Sequence, residues 1–317
     1  MKTNFRPYTA FAPATVANVA VGFDILGFSF PALGDEVTVT PVDSKELGNP
    51  VTIELADGLV SDLPLKAEEN TAGAGLLQFR KDLGLNFGFH VKIRKGIPKS
   101  SGLGGSAASA VASILAANAS LEKALPIQEL LPYALAGEAV ASPSVHADNV
   151  TPCLLGGLQL IRSLNPLATL ELPVPDGLYC VLVHPEAVLE TKRARQVLKK
   201  DIPLPLYVQQ SSRLASFIAA CYRNDLELMG DCLEDLVIEP QRAQLVSGFL
   251  EVKQAAMAAG ALGCSLSGSG PSIFALVQGE KIGRTVQKAM SNCFHQLHIK
   301  NSSWLRPLSK EGAKLLS

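Results

Sequence analysis

The chain has 317 residues, with 28 Lys or Arg against 29 Asp or Glu and a formal net charge of -1. That length suits two packed units of ordinary size, each with its own core, and the balanced charge lacks the basic footprint of a nucleic-acid binder, so a small partner is expected. The six cysteines (Cys153, Cys180, Cys221, Cys232, Cys264 and Cys293) are scattered, with no C-x-x-C pair and no His at metal-ligand spacing, which argues against a disulfide framework or a zinc site.

From the N-terminus, Val37 and Val39 against Thr38 and Thr40 give the period-two pattern of a half-buried strand over 36–40. Residues 51–55 repeat it, and the two read as antiparallel partners. Behind the polar start Asn70-Thr71, the apolar positions Ala74, Leu77 and Leu83 predict a helix over 70–83, with Gly84 as its stop. Phe87, Phe89, Val91 and Ile93 alternate with Gly88, His90, Lys92 and Arg94 in a strand that runs into the turn-rich stretch 95–105. The small-residue run from Ser106 to Ala119 predicts a tightly packed internal helix, and 126–142 predicts another. Short strands follow around 158–161 and 179–183, separated by the Pro-rich 172–177. A boundary is placed near residue 165, giving units 1–165 and 166–317. Beyond it, helices are predicted at 191–199, 207–223, 226–236, 244–259 and 282–294, with a strand at 272–277. The mixture is α+β. No segment approaches about 18 uninterrupted apolar residues, so a cytoplasmic chain with no membrane partner is expected.

The segment Pro98-Lys99-Ser100-Ser101-Gly102-Leu103-Gly104-Gly105-Ser106-Ala107-Ala108 lies between a clear strand and a small-residue helix. Glycines there let backbone N–H groups approach an anion, and the helix N-terminus adds its positive dipole end, which makes a phosphate cradle. A plain tight turn would use the same residues. The Walker pattern is absent, because no Lys-Ser/Thr pair follows the last glycine, and G-x-G-x-x-G is absent too.

This loop resembles the second motif of the GHMP kinases, Pro-x-x-x-Gly-Leu-Gly-Ser-Ser-Ala, over Pro98 to Ala107, with Gly105 in place of the first Ser. The run from Ala12 to Gly27 is similar to the family's first motif in its homoserine kinase form, and Ser267-Gly268-Ser269-Gly270-Pro271-Ser272 is similar to the third. The segments 146–150, 191–195 and 239–242 also resemble that branch, so the likeness runs from residue 12 to residue 272 in the family's order. It implies a two-domain GHMP kinase fold, with an N-terminal domain like ribosomal protein S5 domain 2, a ferredoxin-like C-terminal domain and the active site in the cleft between them. It also implies ATP-dependent phosphorylation of L-homoserine in threonine biosynthesis, with Mg2+. A homodimer is an expectation from the family alone.

The resemblance places Asn18, Asp24, His146, Asp148, Thr191 and Gly268 around homoserine, with Asp24 for the ammonium and Arg195 and Arg242 for the carboxylate. Arginine suits that task because its planar fork holds both carboxylate oxygens. Without the resemblance these arginines would read as solvated helix charges, Asp24 as a turn residue and His146 as a surface histidine. On the nucleotide side it implies the loop 98–108, with Lys99 adding charge, Asn70 and Thr71 near the adenine, and Ser106 and Glu138 as magnesium ligands. Asn70 read alone is a helix N-cap. Asn149 stands where several relatives carry an Asp, and Asn cannot take a proton. The implied mechanism is therefore direct in-line attack, with Asn149, Asn18 and Lys99 positioning the reacting groups. Two other readings stay open at this stage: the same fold acting on mevalonate, shikimate or a sugar, and a non-catalytic ligand-binding relative, for which only Gly105 argues.

Overall fold

The computed structural model describes residues 5–43, 49–56, 58–141 and 145–316. Strand β1 (Tyr8–Ala17) is followed by the long strand β2 (Leu26–Asp43), β3 (Val51–Leu55), helix α1 (Thr71–Asp82), β4 (Phe87–Arg94), α2 (Gly105–Ala119), α3 (Leu131–Glu138) and α4 (Ala147–Leu155). The hairpin of β5 (Leu158–Leu164) and β6 (Leu167–Leu172) leads to β7 (Leu178–Pro185) and helices α5 (Thr191–Gln196), α6 (Leu204–Arg223), α7 (Leu226–Cys232), α8 (Glu239–Arg242) and α9 (Phe249–Ala258). The chain closes with β8 (Gly263–Leu266), β9 (Ile273–Gln278), α10 (Gly279–Gln296), β10 (Asn301–Pro307) and β11 (Lys314–Leu316). Among the described residues no helix is long and apolar enough to cross a membrane.

Two sheets organise these elements. The first is seven-stranded, with β11, β1, β2, β4 and β3 in order and the β5–β6 hairpin attached to β2. The second is four-stranded, in the order β10-β7-β9-β8. The pair expected to be antiparallel, 36–40 with 51–55, is not formed. β4 lies between them, antiparallel to β2 and parallel to β3. The alternation marked both segments as strands, but period two alone fixes neither neighbour nor direction. Residue 165, near which the boundary is expected, lies in the turn of the β5–β6 hairpin, whose strands belong to one sheet.

The second sheet is buried on both faces. Cys180 and Leu182 of β7 and Phe274 and Leu276 of β9 pack into the core beneath the first sheet. Their neighbours Val181, Val183, Ile273, Ala275 and Val277 form a second core with α9 and α10. A strand covered on both sides reads as an unbroken apolar run rather than an alternation, as 178–183 does. Helix α2 is buried almost all round, and its Ala and Ser side chains let the sheet and α1 approach closely. In the same contact region, a Cβ on Gly75 would stand 2.7 Å from the Tyr133 carbonyl. Several elements carried no signal in the sequence: β1, whose first motif masks its strand pattern, the short β8, and the edge strands β6, β10 and β11.

Candidate active site

Loop 98–104 leaves β4 and delivers the chain to the N-terminus of α2. Gly104 is the N-cap of α2 at φ +68°, and Gly102 lies at φ +75°. Space also demands these glycines. A Cβ on Gly104 would stand 2.2 Å from Thr15 Oγ1, and one on Gly102 would stand 2.4 Å from the Ser267 carbonyl. The second glycine loop, 267–272, links β8 to β9 and is tied to the first: Ser267 Oγ donates to the Gly102 carbonyl (2.8 Å), and Ser272 N donates to the Ser101 carbonyl (3.2 Å).

The two loops border a cavity of about 680 Å³. It is lined by every predicted site residue except Ala107 and Ala108, which are fully buried in α2 behind the loop. The remaining nucleotide-side residues, Pro98, Lys99, Ser100, Ser101, Leu103, Gly105 and Ser106, form its wall with Asn70 and Thr71. Asn70 is the N-cap of α1, as its plain reading held. Its Oδ1 accepts from Ala72 N (3.0 Å) and its Nδ2 donates to the Pro64 carbonyl (2.7 Å). Lys99 sits at the exposed rim, its ammonium 2.6 Å from Asp62, whose carboxyl it holds below the usual range.

The cation beneath the loop is instead Lys95, which sequence reasoning passed over. It is buried, paired with the fully buried Asp35, and donates to the Gly105 carbonyl (2.5 Å) and Ser109 Oγ (3.0 Å). Asp35 also accepts from Gly96 N, Ile97 N and Ser109 Oγ, so one carboxylate organises the approach to α2. The signal for this network was an Asp within β2 and a Lys just past the end of β4, which surface charges imitate.

Opposite the loop lies a charged group drawn from both halves of the chain. Asp24 receives a two-pronged bond from Arg195 at the end of α5, Nη1 to Oδ2 at 3.0 Å and Nη2 to Oδ1 at 2.9 Å. The guanidinium carbons of Arg195 and Arg242 lie 5.4 and 5.2 Å from the Phe23 ring centroid. Arg242 is buried and donates to the carbonyls of Ala194 (3.0 Å) and Gly268 (3.1 Å). Burial, with the Arg195 charge beside it, pulls its pKa down to about 10. Asp235 caps the short α8 that carries Arg242, accepting from the backbone N–H groups of Val237, Ile238 and Glu239. Asn18 joins first motif to third, donating to the Gly268 carbonyl (2.8 Å) while accepting from Asp24 N (3.0 Å). Thr191 Oγ1 approaches Ser269 Oγ at 3.4 Å.

Helix α4 presents Asp148 and Asn149 in its first turn, with His146 as its N-cap residue. Burial and the nearby Asp24 charge push Asp148 up to about 7, and its Oδ1 has no hydrogen-bond partner. Burial disfavours protonated His146, but the hydrogen bond and charge of Glu138, at 3.2 Å, outweigh it and raise the histidine's pKa. The other Glu138 oxygen is buried without a partner. Two hard oxygen donors, that carboxylate and the Ser106 hydroxyl, thus line one cavity, a donor set that fits a magnesium ion completed by phosphates and water. Asn149 Oδ1 accepts from Thr15 Oγ1 at 2.7 Å.

Comparisons with known proteins agree with this architecture. Residues 70–157 match the GHMP kinases N terminal domain and residues 217–296 the GHMP kinases C terminal domain. The chain is 48% identical over 309 residues to a homoserine kinase of Xylella fastidiosa (strain M12), covering 97% of this chain and 93% of that one. It is 46% identical over 314 residues to a homoserine kinase of Xanthomonas campestris pv. campestris (strain B100), covering 98% and 95%. The crystal structure of a homoserine kinase from Cytophaga hutchinsonii ATCC 33406 superposes with a TM-score of 0.94 at 40% identity, covering 100% of this chain and 99% of that one. With both domain models matched and 40 to 48% identity to homoserine kinases over almost the whole length, the chain belongs to the GHMP kinase family, in its homoserine kinase branch.

Proposed function

We infer that the chain catalyses ATP-dependent phosphorylation of L-homoserine to O-phospho-L-homoserine, the acceptor chemistry that feeds threonine biosynthesis. The observation that carries this reading is the pairing of Asp24 and Asp148 with Arg195 and Arg242 in a cavity bordered by two glycine loops. A zwitterionic alcohol needs an anion for its ammonium and a cationic fork for its carboxylate. Mevalonate, shikimate and sugars carry no ammonium and leave the carboxylates unanswered.

In this reading the ATP phosphates lie against loop 98–106 and the N-terminus of α2, where free N–H groups and the helix dipole favour anions. Ser106 and Glu138 would hold Mg2+, which when bound neutralises charge on the phosphates. Asp24 takes the homoserine ammonium, with Asp148 and Asn18 near it, and Arg195 and Arg242 take the carboxylate. Thr191, His146 and Gly268 close the pocket around the side chain. With the substrate clamped at both charges, its hydroxyl points toward the γ-phosphate and attacks in line. Asn149 cannot take the proton, so positioning and charge stabilisation carry the catalysis, and the proton leaves by way of phosphate or water. Lys99 contributes charge at the rim. A homodimer belongs to the same proposal, supported by the exposed Leu204, Tyr207, Val208 and Tyr222 of α6; a sedimenting mass twice that of the chain checks it.

The test is ADP release with Mg-ATP and L-homoserine, compared with L-threonine, mevalonate, shikimate and galactose, the product being identified by mass. A homoserine-dependent rate giving O-phosphohomoserine supports the proposal. Activity with another alcohol alone overturns the acceptor assignment, and no ADP with any of them favours a binding-only protein.

A further inference from the structure

Three segments distant in sequence meet at Thr15. It is fully buried on β1, its N–H donates to the Leu103 carbonyl of the phosphate loop (3.1 Å), and its hydroxyl donates to Asn149 Oδ1 on α4 (2.7 Å). Gly104 closes the junction, since a Cβ there would stand 2.2 Å from Thr15 Oγ1 and 2.8 Å from Asn149 Oδ1. An asparagine side chain has one accepting and one donating end, and which end faces a ligand depends on what holds the other. Here the accepting end is held. With the amide reversed, the Thr15 hydroxyl would have to turn and accept from the NH2 group, and the Asn149 oxygen would face the anionic phosphates.

We propose that Thr15 is a positioning residue for the phosphoryl transfer: its hydroxyl fixes the Asn149 amide so that the NH2 group points into the cavity. There Asn149 donates to the substrate hydroxyl or to an oxygen of the transferring phosphoryl group, where charge grows in the transition state. Thr15 itself touches neither substrate. The inference rests on the kinase reading for the reaction, but the contact it describes exists whichever alcohol is phosphorylated.

Thr15→Val keeps the shape and removes the donor, and Thr15→Ser keeps the donor. The expected result is a kcat lowered roughly 10- to 100-fold in Thr15→Val, less than the roughly 100- to 1,000-fold for outright loss of an aligned donor because the Asn149 amide itself remains, with both KM values within about twofold and kcat largely restored in Thr15→Ser. Because the two residues act as one unit, Thr15→Val/Asn149→Ala falls no lower than Asn149→Ala alone. An unchanged kcat in folded Thr15→Val, or losses that multiply in the double variant, overturns the proposal. A readout independent of turnover is the Asn149 side-chain NH2 resonance of 15N-labelled protein, identified by its loss in Asn149→Ala. It moves in Thr15→Val and stays near its place in Thr15→Ser; a resonance unmoved in Thr15→Val sinks the inference. If the wild-type protein ignores homoserine, the kinase reading fails on its own and this spectrum still decides the contact.

Discussion

Asp148 shows how the site trades stability for binding. Its ordinary value is 3.8, and in the folded protein burial and Asp24 lift it to about 7. Between those values the folded protein keeps a proton that the unfolded chain has lost, so the contribution of Asp148 to stability falls as the pH rises through that window and is flat above it. Asp148→Asn should therefore stabilise the ligand-free protein at pH 8 by at least about 1 kcal/mol, measured by denaturant unfolding, and should have little effect at pH 4. The same ionisation matters for the ammonium: kcat/KM for homoserine should rise with pH near 7, and the variant should flatten that rise. Arg195 offers a second test, because a planar fork and a point charge are not interchangeable. Arg195→Lys should raise the homoserine KM roughly as much as Arg195→Ala, on the order of 100-fold, while the ATP KM stays within about twofold in steady-state assays.

At the scale of elements, glycines separate a backbone demand from a spatial one. Gly84 and Gly104 both have positive φ, but a Cβ on Gly84 meets nothing within 4 Å whereas one on Gly104 strikes Thr15 and Asn149. Gly84→Ala should cost about 1 kcal/mol of stability with kcat unchanged, while Gly104→Ala should lose most turnover, an outcome that kinetics and thermal melts of the two proteins resolve. Gly105→Ser sets its Cβ 3.2 Å from Ile97 and 3.5 Å from the Lys95 ammonium, so a small adjustment accommodates the usual family residue. Legibility in the sequence follows the same division. Elements with a strong period, such as 70–83 and 87–94, were readable because one face is buried and the other wet. Most of the residues that line the cavity could be named in advance because motifs keep fixed residues around fixed loops. What could not be read was pairing: the parallel partner of β3, the Lys95–Asp35 junction and the Thr15–Asn149 bond join residues that only the folded chain brings together.

At the scale of the whole molecule, the last strand belongs to the first sheet. β11 pairs with β1, Ser29 Oγ donates to the Glu311 carbonyl (2.5 Å), and Ala313 N donates to the Cys153 carbonyl of α4 (2.8 Å). Removing residues 312–317 should uncover the β1 edge and loosen the helix that carries Asp148 and Asn149. The expected result is a lower melting temperature, concentration-dependent aggregation and weaker homoserine binding, seen by calorimetry and light scattering. The sheet shared between two cores also means that the halves do not unfold separately: a single transition is expected in both near- and far-ultraviolet circular dichroism.

The Arg195–Asp24 pair has one more consequence. In the ligand-free protein each charge already has its partner, so a guest must separate them before it can bind. Homoserine brings one charge for each and leaves neither stranded, whereas 3-aminopropanol strands the arginine and 4-hydroxybutyrate strands the aspartate. If homoserine binds as proposed, the pocket works as a two-key lock, rejecting amino alcohols and hydroxy acids of the right length because each brings only one of the keys.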